Sequence, residues 1–246
     1  MTTLDLLAWA SRAVSFFNTI ALLWLGLTVL LNAERRTWGA WVAGGGLVLG
    51  GLFFAAHTIV VSGDLASYSP EMEVWWRVSW VPFVGPPFLW YLVMAWYTGV
   101  LQTRRHQVWL GVVGLWGLLA LGLLLVANPL PTVRELLDPG RISFAPASLP
   151  VVLLVYPAYS LLCIGLALSA LRRPVASARF MGDLARRRAR PWLVAASVVL
   201  LGVGLAVGGV AAWFLHGVQS QRLEVLSRET LLLLMTFDAL ISGLIA

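Results

Sequence analysis

Lysine is absent from this chain: all 17 of its basic side chains are arginines. A retinal Schiff base needs a lysine amine, so a light-sensing rhodopsin is excluded. Charge of either sign is scarce, at 11% of residues. A water-soluble domain carries about a quarter, so this chain has too little polar surface to face water all round. There is one cysteine, Cys163, set in an apolar run. It allows no intramolecular disulfide and no cysteine-based metal cluster, and reads as a buried inert thiol. Recognisable catalytic patterns are also missing. There is no paired-carboxylate motif, no histidine–glutamate zinc motif, no serine elbow and no phosphate-binding glycine loop. On this basis we expect no enzyme activity within these residues, and no cofactor.

What is present is apolar. Hydrophobic residues make up 60% of the 246, and mean hydropathy is +0.86. Seven apolar runs separate: roughly 6–31, 38–61, 78–101, 108–127, 149–171, 191–215 and 229–246. Each is close to the roughly 20 residues that a helix needs to cross a bilayer. Backbone groups in lipid must be satisfied within the segment, so the runs are expected to be helices. The expected fold is an all-α bundle of seven transmembrane helices in one domain. The N-terminal run lacks a basic leader and is long, so it reads as a first span rather than a signal peptide.

Arginine position orients the bundle. The odd-numbered loops hold Arg35, Arg36, Arg104, Arg105, Arg172, Arg173, Arg179, Arg186, Arg187, Arg188 and Arg190. The even-numbered loops hold Arg77, Arg134, Arg141, Arg222 and Arg228, and most of the acids. The positive-inside rule puts the odd loops in the cytoplasm, the N-terminus outside and the C-terminus inside. The net charge of +6 therefore points to a lipid bilayer, at a plasma membrane, and not to nucleic acid. Segment 175–190 mixes apolar residues with arginines. It reads either as a basic amphipathic helix on anionic lipid or as a solvated loop. The outward segments 63–77 and 128–148 are rich in aromatics and prolines respectively, and are read as caps on the bundle or as ordinary loops.

A few residues carry candidate chemistry. The third run contains Pro82, Pro86 and Pro87, which remove backbone donors. The helix there is expected either to kink or break beside an outward cavity or to begin at Pro86 or Pro87. Candidate cavity residues are His57, Trp80, Pro86, Pro87, Trp90, Tyr91 and His216, facing an unknown small ligand. The glycine pairs Gly46/Gly50 and Gly204/Gly208 have the spacing that lets helix backbones approach. Asn18, Tyr156, Tyr159 and Asp238 form a candidate polar core. Asp238 falls in the middle of the seventh run, where a carboxylate needs a partner or water. Its expected partners are Asn18, Tyr156 or Tyr159, and its role either a proton-linked switch or a structural hydrogen bond.

Three stretches carry a family resemblance: Trp75-Trp76-Arg77-Val78-Ser79-Trp80, Gly85-Pro86-Pro87-Phe88-Leu89-Trp90-Tyr91, and Phe237-Asp238-Ala239-Leu240. With the seven-run layout, the chain resembles the seven-helix N-terminal sensor region of bacterial membrane histidine kinases. The resemblance implies a sensor region, here separated from its output, whose last helix feeds a cytoplasmic signalling module. The other readings of these residues are an accessory subunit that binds a partner subunit in a larger redox or photosynthetic membrane complex, and a small transporter.

Overall fold

The computed structural model describes residues 3–32, 37–62, 70–126, 132, 155–175, 180–219 and 228–245. Everything regular among them is helical, with no strand. The helices are α1 (Thr3–Asn32), α2 (Trp38–Ser62), α3 (Pro70–Tyr97), α4 (Arg104–Val126), α5 (Tyr156–Arg172), α6 (Phe180–Gln219) and α7 (Arg228–Ile245). Five of them, α1, α2, α3, α4 and α6, are long and apolar enough to cross a membrane. α5 is apolar but shorter over its described length; the expected first residues of the fifth run, 149–154, lie outside the described residues.

The outer surface agrees with a lipid solvent. Leu31 is 81% exposed, Trp192 78% and Leu118 68%. Such large apolar side chains stand on several helices at once, far beyond the patches a soluble monomer tolerates.

Two expectations about helix limits are corrected. α3 neither breaks nor starts at its prolines. It begins at Pro70, where a missing N–H costs nothing, and runs through Pro82, Pro86 and Pro87. The stretch is braced from α5, where Tyr159 donates to the Val84 carbonyl at 3.2 Å. α6 does not start at Pro191. It starts at Phe180, so the basic segment forms its first turns. At 40 residues it is about 60 Å long, twice the bilayer core.

The helices pack as two halves that share α3. α1 lies against α2 and α7, and α2 against α3. On the other side α3 contacts α4 and α5, and α5 contacts α6. The apolar core sits in this second half, among Val84, Tyr91, Met94, Val113, Tyr159 and Cys163. Just past the end of α3, Gly99 has a φ of 75°, the left-handed turn that favours glycine.

In the first half α1 and α2 touch backbone to backbone. A Cβ on Gly44 would stand 3.0 Å from the Gly26 carbonyl, and one on Gly26 2.9 Å from the Gly44 carbonyl. The close approach expected at Gly46 and Gly50 is not made there. A Cβ at those positions would find only ordinary contacts, with Leu89 at 3.6 Å and Leu22 at 3.5 Å. In the expected second pair, Gly204 has Ser160 Oγ within 3.3 Å of an added Cβ, while Gly208 is not described beyond its backbone.

Candidate functional site

One face of α1 carries Ser11, Ser15, Asn18, Leu22 and Gly26, all buried. Their spacing of three and four residues makes a single narrow stripe. Small and polar side chains let α2 and α7 pack closely on it, and a polar cluster forms where the three helices meet.

Ser15 is at its centre. Its Oγ lies 2.9 Å from Thr58 Oγ1 and 3.2 Å from His57 Nδ1. Thr58 also donates back to the Phe54 carbonyl at 2.7 Å, within its own helix. His57 is held by rings as well as by polar atoms, stacked on Phe53 with centroids 6.1 Å apart. From α7, Asp238 brings Oδ2 to 3.9 Å from His57 Nδ1. That is ion-pair range but longer than a hydrogen bond. Asp238 is fully buried, and neither carboxylate oxygen has a hydrogen-bond partner among the described residues.

α7 is fastened beside this carboxylate. Asn18 Nδ2 donates to the Asp238 backbone carbonyl at 2.9 Å. Ser242 Oγ lies one turn on, 2.7 Å from Asn18 Oδ1 and 3.0 Å from the same carbonyl. Asn18 thus holds the helix in place and leaves the acid itself unbound.

Serine, histidine and aspartate together suggest a hydrolytic triad, but the geometry differs. Ser15 and Asp238 both approach the same ring nitrogen, Nδ1. A triad needs one partner on each nitrogen, so that the ring can take a proton on one side while anchored on the other. The arrangement fits a proton-holding pair or a movable contact instead. Among the described residues no three His, Cys, Asp or Glu side chains gather as metal ligands.

Between the two halves lies a cavity of about 450 Å³. It is bounded by residues from α1, α2, α3, α5, α6 and α7, among them Phe54, Pro86, Pro87, Trp90, Tyr156 and Phe237. Gly46 and Gly50 line it, so here the absent side chains make room rather than backbone contact. Its walls are chiefly apolar. The Trp90 indole N–H reaches across to Ser197 of α6 at 3.0 Å.

Three of the seven candidate cavity residues, Pro86, Pro87 and Trp90, line this space. His57 and Tyr91 do not. His57 faces the α1–α7 contact, because Ser15 and Asp238 offer it polar neighbours. Tyr91 turns to α4, with its hydroxyl 2.9 Å from His106 Nδ1, and is fully buried. The side chains of Trp80 and His216 lie outside the described residues. Of the polar-core candidates, Asn18 and Asp238 meet. Tyr156 and Tyr159 do not bond Asp238, because α5 belongs to the other half, where Tyr159 donates to Val84 and Tyr156 walls the cavity.

Ser15, Thr58, Ser242 and His106 make contacts that the sequence alone does not signal. Hydroxyls in apolar helices are common and carry little signal singly. The usable clue was the spacing of Ser11, Ser15 and Asn18, which puts three polar groups on one face.

These features define an all-α chain with the build of a multi-pass membrane protein, holding a buried acid–histidine contact beside an apolar cavity. No known family model, curated protein or solved structure matches it.

Proposed function

We propose that this chain is a sensory membrane domain. In this reading seven helices span a plasma membrane, with the N-terminus outside and the C-terminus in the cytoplasm. A stimulus from outside or from within the membrane passes to a cytoplasmic output module, such as a histidine kinase. The arginine asymmetry supports the orientation.

One observation carries the proposal: α7 is the element on which the cavity and the buried acid meet. Its Phe237, Ile241 and Ile245 wall the cavity, while Asp238 faces His57. A buried ionisable group without a hydrogen bond is costly, and within a membrane such groups are often functional. An apolar ligand filling the cavity presses on α7. Gain or loss of a proton by the Asp238–His57 pair changes how α7 is held to α1 and α2. Either event shifts the helix that runs toward the cytoplasmic side.

The same buried pair favours a second reading, a small proton-coupled transporter, since membrane carboxylates and histidines commonly relay protons. Spin labels at the exposed positions Trp41 and Leu240, on the chain in lipid nanodiscs, separate the two. A sensor gives a Trp41–Leu240 distance that changes with pH or with added apolar extract, and Asp238→Asn abolishes the response while the chain still folds. A transporter moves protons across liposomes in an Asp238-dependent way. A single unchanging distance with no proton flux defeats both.

A further inference from the structure

A second hollow, of about 310 Å³, lies at the opposite end of α3 from its prolines. It is framed by Tyr97 and Thr98 at the end of α3, by Pro174 and Val175, and by Arg186, Arg187 and Arg190 from the first turns of α6. Two of these arginines are locked into the frame. Arg186 donates to the Val175 carbonyl at 3.2 Å and stands over the Tyr97 ring, 6.0 Å from its centroid. Arg190 donates to the Arg172 carbonyl at 3.1 Å. The Val175 N–H closes the frame on the Thr98 carbonyl at 2.9 Å.

Each guanidinium has five N–H donors. The bonds above use one from each of Arg186 and Arg190 and none from Arg187. Neutralising charge is sparse: Asp183 is the only acid between Arg172 and Pro191. Among the described side chains none of Arg186, Arg187 and Arg190 is ion-paired with a carboxylate; the side chain of Asp183 lies outside them. Three cations around one hollow, two of them held in the frame and all with donors to spare, match the oxygens of a phosphate. The place in the fold matches too. α6 is about twice as long as the bilayer core is thick, so its basic turns emerge at the membrane surface, where headgroup phosphates lie.

We propose that this hollow binds a phosphate-bearing anion, with Arg187 as its main free contact and Arg186 and Arg190 as its pre-set walls. The ligand is either an anionic lipid headgroup or a soluble phosphate compound. The site does not depend on the sensory reading.

The test uses the full chain in neutral detergent. Phosphatidylglycerol and phosphatidylcholine are compared by native mass spectrometry, and inorganic pyrophosphate by thermal shift and by competition with the lipid. Phosphatidylglycerol is expected to be retained in preference to phosphatidylcholine. Arg187→Gln, which breaks no bond of the frame, should weaken binding about fivefold, from roughly 1 kcal/mol per basic residue. Arg188→Gln removes the same charge one residue away, outside the hollow, and should leave affinity within twofold. Pyrophosphate that binds while phosphatidylglycerol does not assigns the site to a soluble phosphate. Lipid retention that pyrophosphate cannot displace assigns it to the headgroup. Equal weakening by both variants reveals only diffuse surface charge and overturns the site, as does failure of both probes to bind.

Discussion

Asn18 and Asp238 are hydrogen-bonded across 220 positions of sequence, and the bond goes to the backbone of Asp238 rather than to its carboxylate. The fastening of α7 and the freedom of the acid are therefore separate properties. A variant can lose one and keep the other.

The fastening is tested at Asn18 and Ser242. Asn18→Leu should destabilise the bundle by about 1–2 kcal/mol, the upper range for interhelical hydrogen bonds in membranes. A double-mutant cycle of Asn18→Leu with Ser242→Ala should give a coupling of about 0.6 kcal/mol, read from unfolding in mixed micelles. Strictly additive effects would show that the 2.7 Å contact between them does not contribute.

How far the sequence disclosed this site follows from its chemistry. Asp238 and Asn18 stood out because polar groups are rare in apolar runs, and the same rarity made each a candidate partner of the other. His57 is equally rare, yet it faces Ser15 and Asp238 and not the cavity. Nothing in the sequence says which way a residue of α2 points once both faces are apolar. The hydrophobic character of α2 is nearly uniform around its axis, so lipid and bundle faces look alike. The proline-rich stretch misled for a related reason. Proline's effect on a helix depends on what packs around it, and the side chain that braces this stretch, Tyr159, lies 75 positions away from Val84.

The α1–α2 contact gives a second test. Gly44→Leu places a side chain against Leu30 and the Gly26 carbonyl, and should cost about 1–3 kcal/mol through overpacking. At Gly45, one residue on, an added Cβ meets nothing within 4 Å, so Gly45→Leu should be near neutral. Thermal unfolding of the two variants side by side checks this, and equal midpoints would contradict the close approach.

Tyr159→Phe removes one hydroxyl and keeps the ring. Loss of the 3.2 Å bond to the Val84 carbonyl is expected to cost about 1 kcal/mol. The effect should appear as faster amide exchange in α3 next to Pro86 and Pro87, with α1 unchanged. Exchange that rises uniformly across the bundle would argue against a local role.

Orientation is tested by labelling single cysteines after Cys163→Ala. Positions 64, 138 and 224 should react with a membrane-impermeant thiol reagent in intact cells, and positions 35, 104 and 186 only after lysis. Position 186 labelled from outside would reverse the proposed topology, and with it the side on which the phosphate-binding hollow lies.

The Asn18–Asp238 bond also bears on how the bundle is made. A ribosome delivers α1 long before α7. Until α7 arrives, Asn18 lacks the carbonyl it bonds, and the polar stripe of α1 has only α2 to cover it. Such a stripe in hydrocarbon is unfavourable, so the half-built protein has a reason to keep α1 and α2 together through their glycine contact. Assembly of this half is completed only by α7. Damage to α7 should therefore be felt first at α1, the helix farthest from it in time of synthesis.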